Sequence, residues 1–182
     1  MSATVRVFLS VGLIATLAGC SGTDESRPPG RVGVAYEVVL RCEDVIDRVA
    51  DPPAEYGIVA GVMALPTGDA APHPLQANDT RGPDPASRFF AKTGLLIWPK
   101  REFAVVVPED YHDRVAIGWG SPGTDTHRLI VPPCPSDDDE WLVFAGGISI
   151  ANPECIELEV DDGTATERFT VAVGEPCPGQ QP

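Results

Sequence analysis

The chain has 182 residues, enough for one domain with a sizeable core and too few for two once a leader and a tether are set aside. Its 27 acids against 13 Lys and Arg give a formal charge of −14, so its surface repels nucleic acid and anionic lipid headgroups and excludes both as electrostatic partners. Hydrophobic residues make up 43%, ordinary for a globular protein, while 19 prolines and 18 glycines point to many turns and little helix.

A single early cation, Arg6, precedes an apolar run from Val7 to Leu17 broken only by Ser10, Gly12 and Thr16. That run is too short to span a bilayer as a helix and reads as a secretory leader. It closes on Leu17-Ala18-Gly19-Cys20, an apolar residue, two small residues and a cysteine, which resembles the lipobox of bacterial lipoproteins. The resemblance implies cleavage before Cys20, a diacylglycerol thioether on its sulfur, and anchoring to the cell membrane on the extracytoplasmic face. Residues 1–19 are then the leader, 20–30 a lipidated flexible tether without large apolar side chains, and 31–182 one β-sandwich domain. Removing Arg6 with the leader leaves 12 cations against 27 anions, so the membrane is held by acyl chains and not by a basic face.

Along the domain, Gly33 to Arg41 alternates, with Val34, Tyr36, Val38 and Leu40 on one side. Asp44 to Ala50 has apolar residues at 45, 46, 49 and 50, a helical spacing closed by Asp51-Pro52-Pro53, and is the one short helix expected. Tyr56 to Leu65, apolar on both faces, reads as a central strand. Pro66 to Ser87 is a proline-rich connection of a length that is either functional or disordered, and with no aromatic side chain and His73 as its one imidazole it is expected to be disordered or a surface flap. Phe89 to Trp98 and Glu102 to Val107 flank Pro99-Lys100-Arg101 as a hairpin. Pro108 followed by Glu109 and Asp110 suits a single helical turn. Strands then follow at Arg114 to Trp119, His127 to Val131, and Trp141 to Ile150, where Gly146-Gly147 predicts a bulge or a close backbone approach. The firmest element is a terminal hairpin, with Ile156, Leu158 and Val160 set against Glu157 and Glu159, an Asp162-Gly163 turn, and Phe169, Val171 and Val173 returning. Nine strand candidates with almost no helix predict an all-β, two-layer antiparallel sandwich, immunoglobulin-like in general shape.

A lipidated Cys20 cannot also form a disulfide, and five cysteines less one leave Cys42, Cys134, Cys155 and Cys177. In an oxidising compartment four thiols pair as two bridges, with three connectivities possible. Cys155 and Cys177 fall at the outer end of the last hairpin, and Cys42 and Cys134 each close a strand. Pairing Cys42 with Cys134 and Cys155 with Cys177 is the connectivity this favours.

Catalytic signatures are missing. No G-x-S-x-G elbow occurs, His73, His112 and His127 read as solvated surface imidazoles, and no two histidines have metal-ligand spacing. No cofactor motif is present, and no residue is assigned a catalytic role. Asp137, Asp138, Asp139 and Glu140 form the sharpest acidic cluster and a weak calcium candidate that lacks the glycine of an EF-hand loop. Tyr111 and Trp119, the latter beside the Gly120 to Gly123 turn, form the candidate binding patch, while Trp98 and Trp141 are assigned to the core. These features favour a membrane-anchored, non-enzymatic binding or structural module with an envelope protein or glycan as partner. The alternative is a secreted hydrolase that acts on wall glycan or ester through a carboxylate pair.

Gly118-Trp119-Gly120, Trp141-Leu142, Gly146-Gly147, Pro153-Glu154-Cys155 and the closing Cys177 together resemble uncharacterised actinobacterial secreted lipoproteins of similar length. The resemblance implies a fold and brings no chemistry with it.

Overall fold

The computed structural model describes residues 33–80, 88–136 and 139–180. The leader, Cys20, the tether and residues 81–87, together with Asp137 and Asp138, lie outside the described residues. Fourteen strands are present among them: β1 Ala35–Val39, β2 Val45–Val49, β3 Gly57–Val59, β4 Met63–Leu65, β5 Ala77–Asp79, β6 Phe89–Lys92, β7 Leu95–Ile97, β8 Phe103–Val106, β9 Val115–Trp119, β10 Thr126–Val131, β11 Trp141–Phe144, β12 Gly146–Ile150, β13 Glu154–Asp161 and β14 Thr166–Val173. They build two sheets in a sandwich-like arrangement. The larger runs β14-β13-β8-β10-β9-β12-β6-β5, with β1 added alongside β10, and the smaller runs β2-β11-β7-β4-β3. All strand pairs are antiparallel except β1 with β10.

One core fills the space between the sheets. Val105, Leu129, Ile156, Leu158, Val160, Val171 and Val173 from the larger sheet meet Met63, Leu65, Leu95, Ile97, Leu142 and Phe144 from the smaller, all essentially without solvent contact. The last hairpin has the expected register, Ile156 opposite Val171 and Leu158 opposite Phe169. Burying alternate side chains of both strands on one face fixes that register, because a one-residue slip would turn the whole apolar set to water.

Two chain segments cross from one sheet to the other. β6 in the larger sheet passes through Thr93 and Gly94 into β7 of the smaller, and β11 in the smaller passes through Ala145 into β12 of the larger. Phe89 to Trp98 and Trp141 to Ile150 are therefore each two strands and not one, bent at a shared corner where the Thr93 amide donates to the Gly146 carbonyl at 3.0 Å. Gly146 and Gly147 make the corner possible. A Cβ at Gly146 would lie 2.1 Å from the Gly118 carbonyl oxygen, and one at Gly147 2.2 Å from that of Ala91. The close backbone approach expected of this pair is what they provide.

Other expectations are corrected. Asp44 to Ala50 is not a helix: Cys42–Asp44 is a single 3-10 turn and Val45–Val49 is the edge strand β2. Its apolar spacing misleads because an edge strand need not alternate, and Ile46 is 64% exposed. Tyr56 to Leu65 is a hairpin at the sheet edge, not one central strand. It turns on Ala60 and Gly61, both with positive φ (51° and 66°), the geometry that follows the twist of tight hairpins. Residues 99–101 join strands of different sheets and not a hairpin, because β8 belongs to the larger sheet.

Two disulfides join Cys42 to Cys134 and Cys155 to Cys177, with Cα atoms 5.4 and 4.9 Å apart. The first ties the β1–β2 corner to the end of β10. Asp44 reinforces that corner, accepting from Arg41 at 2.7 Å and from the Ser121 amide at 2.9 Å. Arg41 first, and then the Ser121 amide, hold its carboxyl below the usual range.

Candidate functional site

The binding patch expected at Tyr111 and Trp119 does not exist as a surface. Trp119 is 2% exposed and its indole N–H donates to the Thr93 carbonyl at 3.0 Å, inside the corner where the chain changes sheets. Its place beside a glycine-rich turn suggests exposure; Gly146 instead lets β12 lie directly against it. Tyr111 is half-buried, packs on the core, and carries the Arg114 guanidinium 4.3 Å above its ring. Trp98 and Trp141 pack edge to face at 5.3 Å in a second, smaller cluster with Ala64 and Leu96, apart from the core between the sheets, where Trp141 is buried and Trp98 half-buried. Of the acidic cluster, Asp139 is exposed and Glu140 half-buried, and no group of three potential metal ligands occurs among the described residues.

What the fold does assemble is a row of side chains across the outer face of the larger sheet. Glu37 on β1 stands opposite Arg128 on β10, Arg128 opposite Val106 on β8, Val106 opposite Glu159 on β13, and Glu159 opposite Arg168 on β14. Strand alternation puts these five on one face, because their neighbours Val105, Val107, Leu129, Leu158 and Val160 are the residues the core takes. Charges alternate along the row, and each guanidinium is held by two carboxylates. Arg128 reaches Asp161 at 3.0 Å and Glu37 at 3.6 Å; Arg168 reaches Glu159 at 2.8 Å and Glu157 at 3.1 Å. The Asp161 carboxyl is held below its ordinary range by Arg128, and secondarily by the Gly163 amide.

The Pro108–His112 turn borders the row, and a cleft of about 470 Å³ there is lined by Val106, Arg128, Glu159 and Arg168 of the row and by Tyr36 and His127, whose strand positions alternate with Glu37 and Arg128. As the proline and paired acids suggest, Glu109–Tyr111 is a single 3-10 turn. It carries His112 onto His127 of β10, with ring centroids 3.9 Å apart and planes within 8°. His112 Nε2 lies 2.8 Å from the Val107 carbonyl oxygen. His127 is 4% exposed, against the expectation of a solvated imidazole, because the turn folds over it. Tyr36 closes the far end of the cleft, 58% exposed.

Two histidines with Glu109, Asp110 and Glu159 in one cleft approach the inventory of a hydrolase. Within the cleft the His112 ring nitrogen lies 2.8 Å from the Val107 carbonyl oxygen, and Glu159 is held by Arg168. The arrangement is a stiff polar platform with donors and acceptors fixed by one another. Alternation of Glu157, Glu159 and Glu37 away from the core is readable in the sequence; that β8, β10, β13 and β14 bring them to one line is set by strand order, which alternation does not encode.

Comparison with protein-family models, with curated proteins and with solved structures finds no match to this chain.

Proposed function

We propose that this protein is a non-enzymatic binding module of a cell envelope, lipid-anchored at Cys20 on the extracytoplasmic face, and that the outer face of its larger sheet docks an envelope partner. The observation that carries the docking face is the Glu37-Arg128-Val106-Glu159-Arg168 row, whose guanidiniums are pinned in place before any partner arrives. A preset platform loses little side-chain entropy on binding. Its alternating signs suit an extended polypeptide segment that carries both charges, and they disfavour a uniformly charged polymer. Anchoring rests on the Leu17 to Cys20 motif and on two disulfides consistent with an oxidising compartment.

Expression of the full chain with an alkyne-tagged fatty acid tests the anchor. Label is expected on the natural chain and not on Cys20→Ala, and an unlabelled chain that retains its leader would remove the anchor from this reading. For the face, a photo-crosslinker at position 106, within the row, should capture one envelope protein, and the double variant Arg128→Glu with Arg168→Glu should lose it. Capture that survives the charge reversal would dismiss the face.

A second reading, a hydrolase of wall glycan or ester, is favoured by the histidines and carboxylates that share this cleft. Against it, the cleft's Glu159 is held by Arg168 at 2.8 Å and its His112 ring nitrogen lies 2.8 Å from the Val107 carbonyl oxygen, so both are engaged within the fold. Turnover of a chromogenic glycoside or ester that is lost in Glu159→Gln would establish it.

A further inference from the structure

A second concavity, of about 590 Å³, lies where β6 turns into β7 and is independent of the sheet face above. Its volume falls within the roughly 300–1,000 Å³ typical of small-molecule pockets. Tyr56, Pro66 and Pro72 supply its apolar surfaces, with Leu75 beside them; Glu55, His73, Lys92 and Thr93 supply polar groups. We propose that this cavity is a saccharide site that takes a pyranose ring of an extracytoplasmic glycan.

The chemistry of the lining argues for a sugar over a hydrocarbon or an ion. A pyranose presents one C–H face that covers an aromatic or pyrrolidine ring without stranding a polar group, and a rim of hydroxyls that both donate and accept. Glu55 accepts, Lys92 donates, and the hydroxyls of Thr93 and Tyr56 do either. Those two hydroxyls are 3.4 Å apart, a long contact that a ligand hydroxyl can replace at little cost. A neutral ligand also meets no repulsion from a chain of charge −14.

The wall is preformed. Of the disorder or surface flap expected for the proline-rich connection, the described part is an ordered strap on the surface, tied down at both ends. The Gly68 amide donates to the Thr170 carbonyl at 2.7 Å, Leu75 donates to Ala172 at 2.8 Å, and Gly174 donates back to Leu75 at 2.8 Å. Gln180 Nε2 donates to the Ala71 carbonyl at 2.8 Å. The strap rests on the second disulfide, because a Cβ at Gly68 would sit 3.3 Å from that of Cys177. A wall fixed by prolines and by hydrogen bonds to β14 pays little to close on a ligand.

Titration of isotope-labelled full chain with chitobiose and, separately, cellobiose tests the site by amide shifts, with no dependence on the anchor or on the sheet-face cleft. The expected result is a saturable response of Tyr56, Thr93, Gly94 and Leu75 to at least one disaccharide, insensitive to salt. Tyr56→Ala should weaken it about tenfold, the size of a lost stacking contact, while Tyr56→Phe keeps the ring and most of the affinity. Lys92→Met, at an exposed rim position, should weaken binding without touching the core. Silence of these amides toward both sugars overturns the proposal. So does a response that Tyr56→Ala and Lys92→Met leave unchanged, or one that only a proline-rich peptide produces.

Discussion

Glu159 and Arg168 stand directly opposite each other on β13 and β14, and their side chains close to 2.8 Å on the outer face of the last hairpin. Arg168 is well exposed, so the pair is solvated on one side and its worth is that of a cross-strand surface pair. A double-mutant cycle of Arg168→Ala and Glu159→Ala should give a coupling of about 0.5–1 kcal/mol in low salt, falling toward zero in molar salt. A larger, salt-insensitive coupling would mean that the row is more buried in solution than its geometry implies.

The two disulfides should differ in value. Cys42–Cys134 spans 92 residues and Cys155–Cys177 spans 22. Chain-entropy loss in the unfolded state then assigns about 4–5 kcal/mol to the first and about 3 kcal/mol to the second. Urea unfolding of the paired Cys→Ala variants measures both. The longer bridge also clamps the corner where β1 passes into β2, so its loss should raise amide exchange in Val45–Val49 first.

Gly146 is the sharpest single test of the corner. Alanine there would drive a methyl into the Gly118 carbonyl and the Trp119 backbone, with no flexible side chain to yield, and should cost about 3 kcal/mol or more. Gly163→Ala meets no atom within 4 Å but sits at φ +81°, and should cost only about 1 kcal/mol from backbone strain. Equal costs in urea denaturation would contradict the packing described.

The same corner marks where the sequence stops being readable. Alternation finds β13 because Ile156, Leu158 and Val160 share one buried face, and β14 because Val171 and Val173 do, with Phe169 half-buried beside them. It also finds β1, β9 and β10, although Tyr36, on the nominal core face, is exposed. The signal fails where a strand changes sheets, since the face that is buried changes with it: Phe89 to Trp98 reads as one strand although Ala91 and Leu95, on the two sides of the Thr93-Gly94 corner, reach the same core from different sheets. Trp119 is misread for the same reason, its cover coming from Gly146, 27 positions downstream. The candidate cleft was half legible. Its acids were visible as outward residues, but stacking of His112 on His127 depends on a 3-10 turn folding back over β10, a tertiary contact with no local pattern.

Asp162 gives the pH prediction. At the tip of the last hairpin its carboxylate accepts from the Thr164 hydroxyl at 2.7 Å and from the Thr164 and Ala165 amides, each at 2.9 Å. The hydroxyl bond, then the two amide bonds, bring its pKa down from 3.8 to about 2. Because the folded value lies below the unfolded one, the stabilisation is complete above the unfolded value and is lost as pH falls through about 2. Carbon-detected titration of the carboxyl should give a midpoint near 2. Acidification through that window should speed amide exchange at Thr164 and Ala165 before it does so in the flanking strands. Asp162→Asn retains an acceptor oxygen without a titrating group, so its turn should exchange at a rate flat across the same window. A carboxyl midpoint at the ordinary aspartate value, or an Asn variant that still loosens with acid, would show that the turn is not built on this carboxylate.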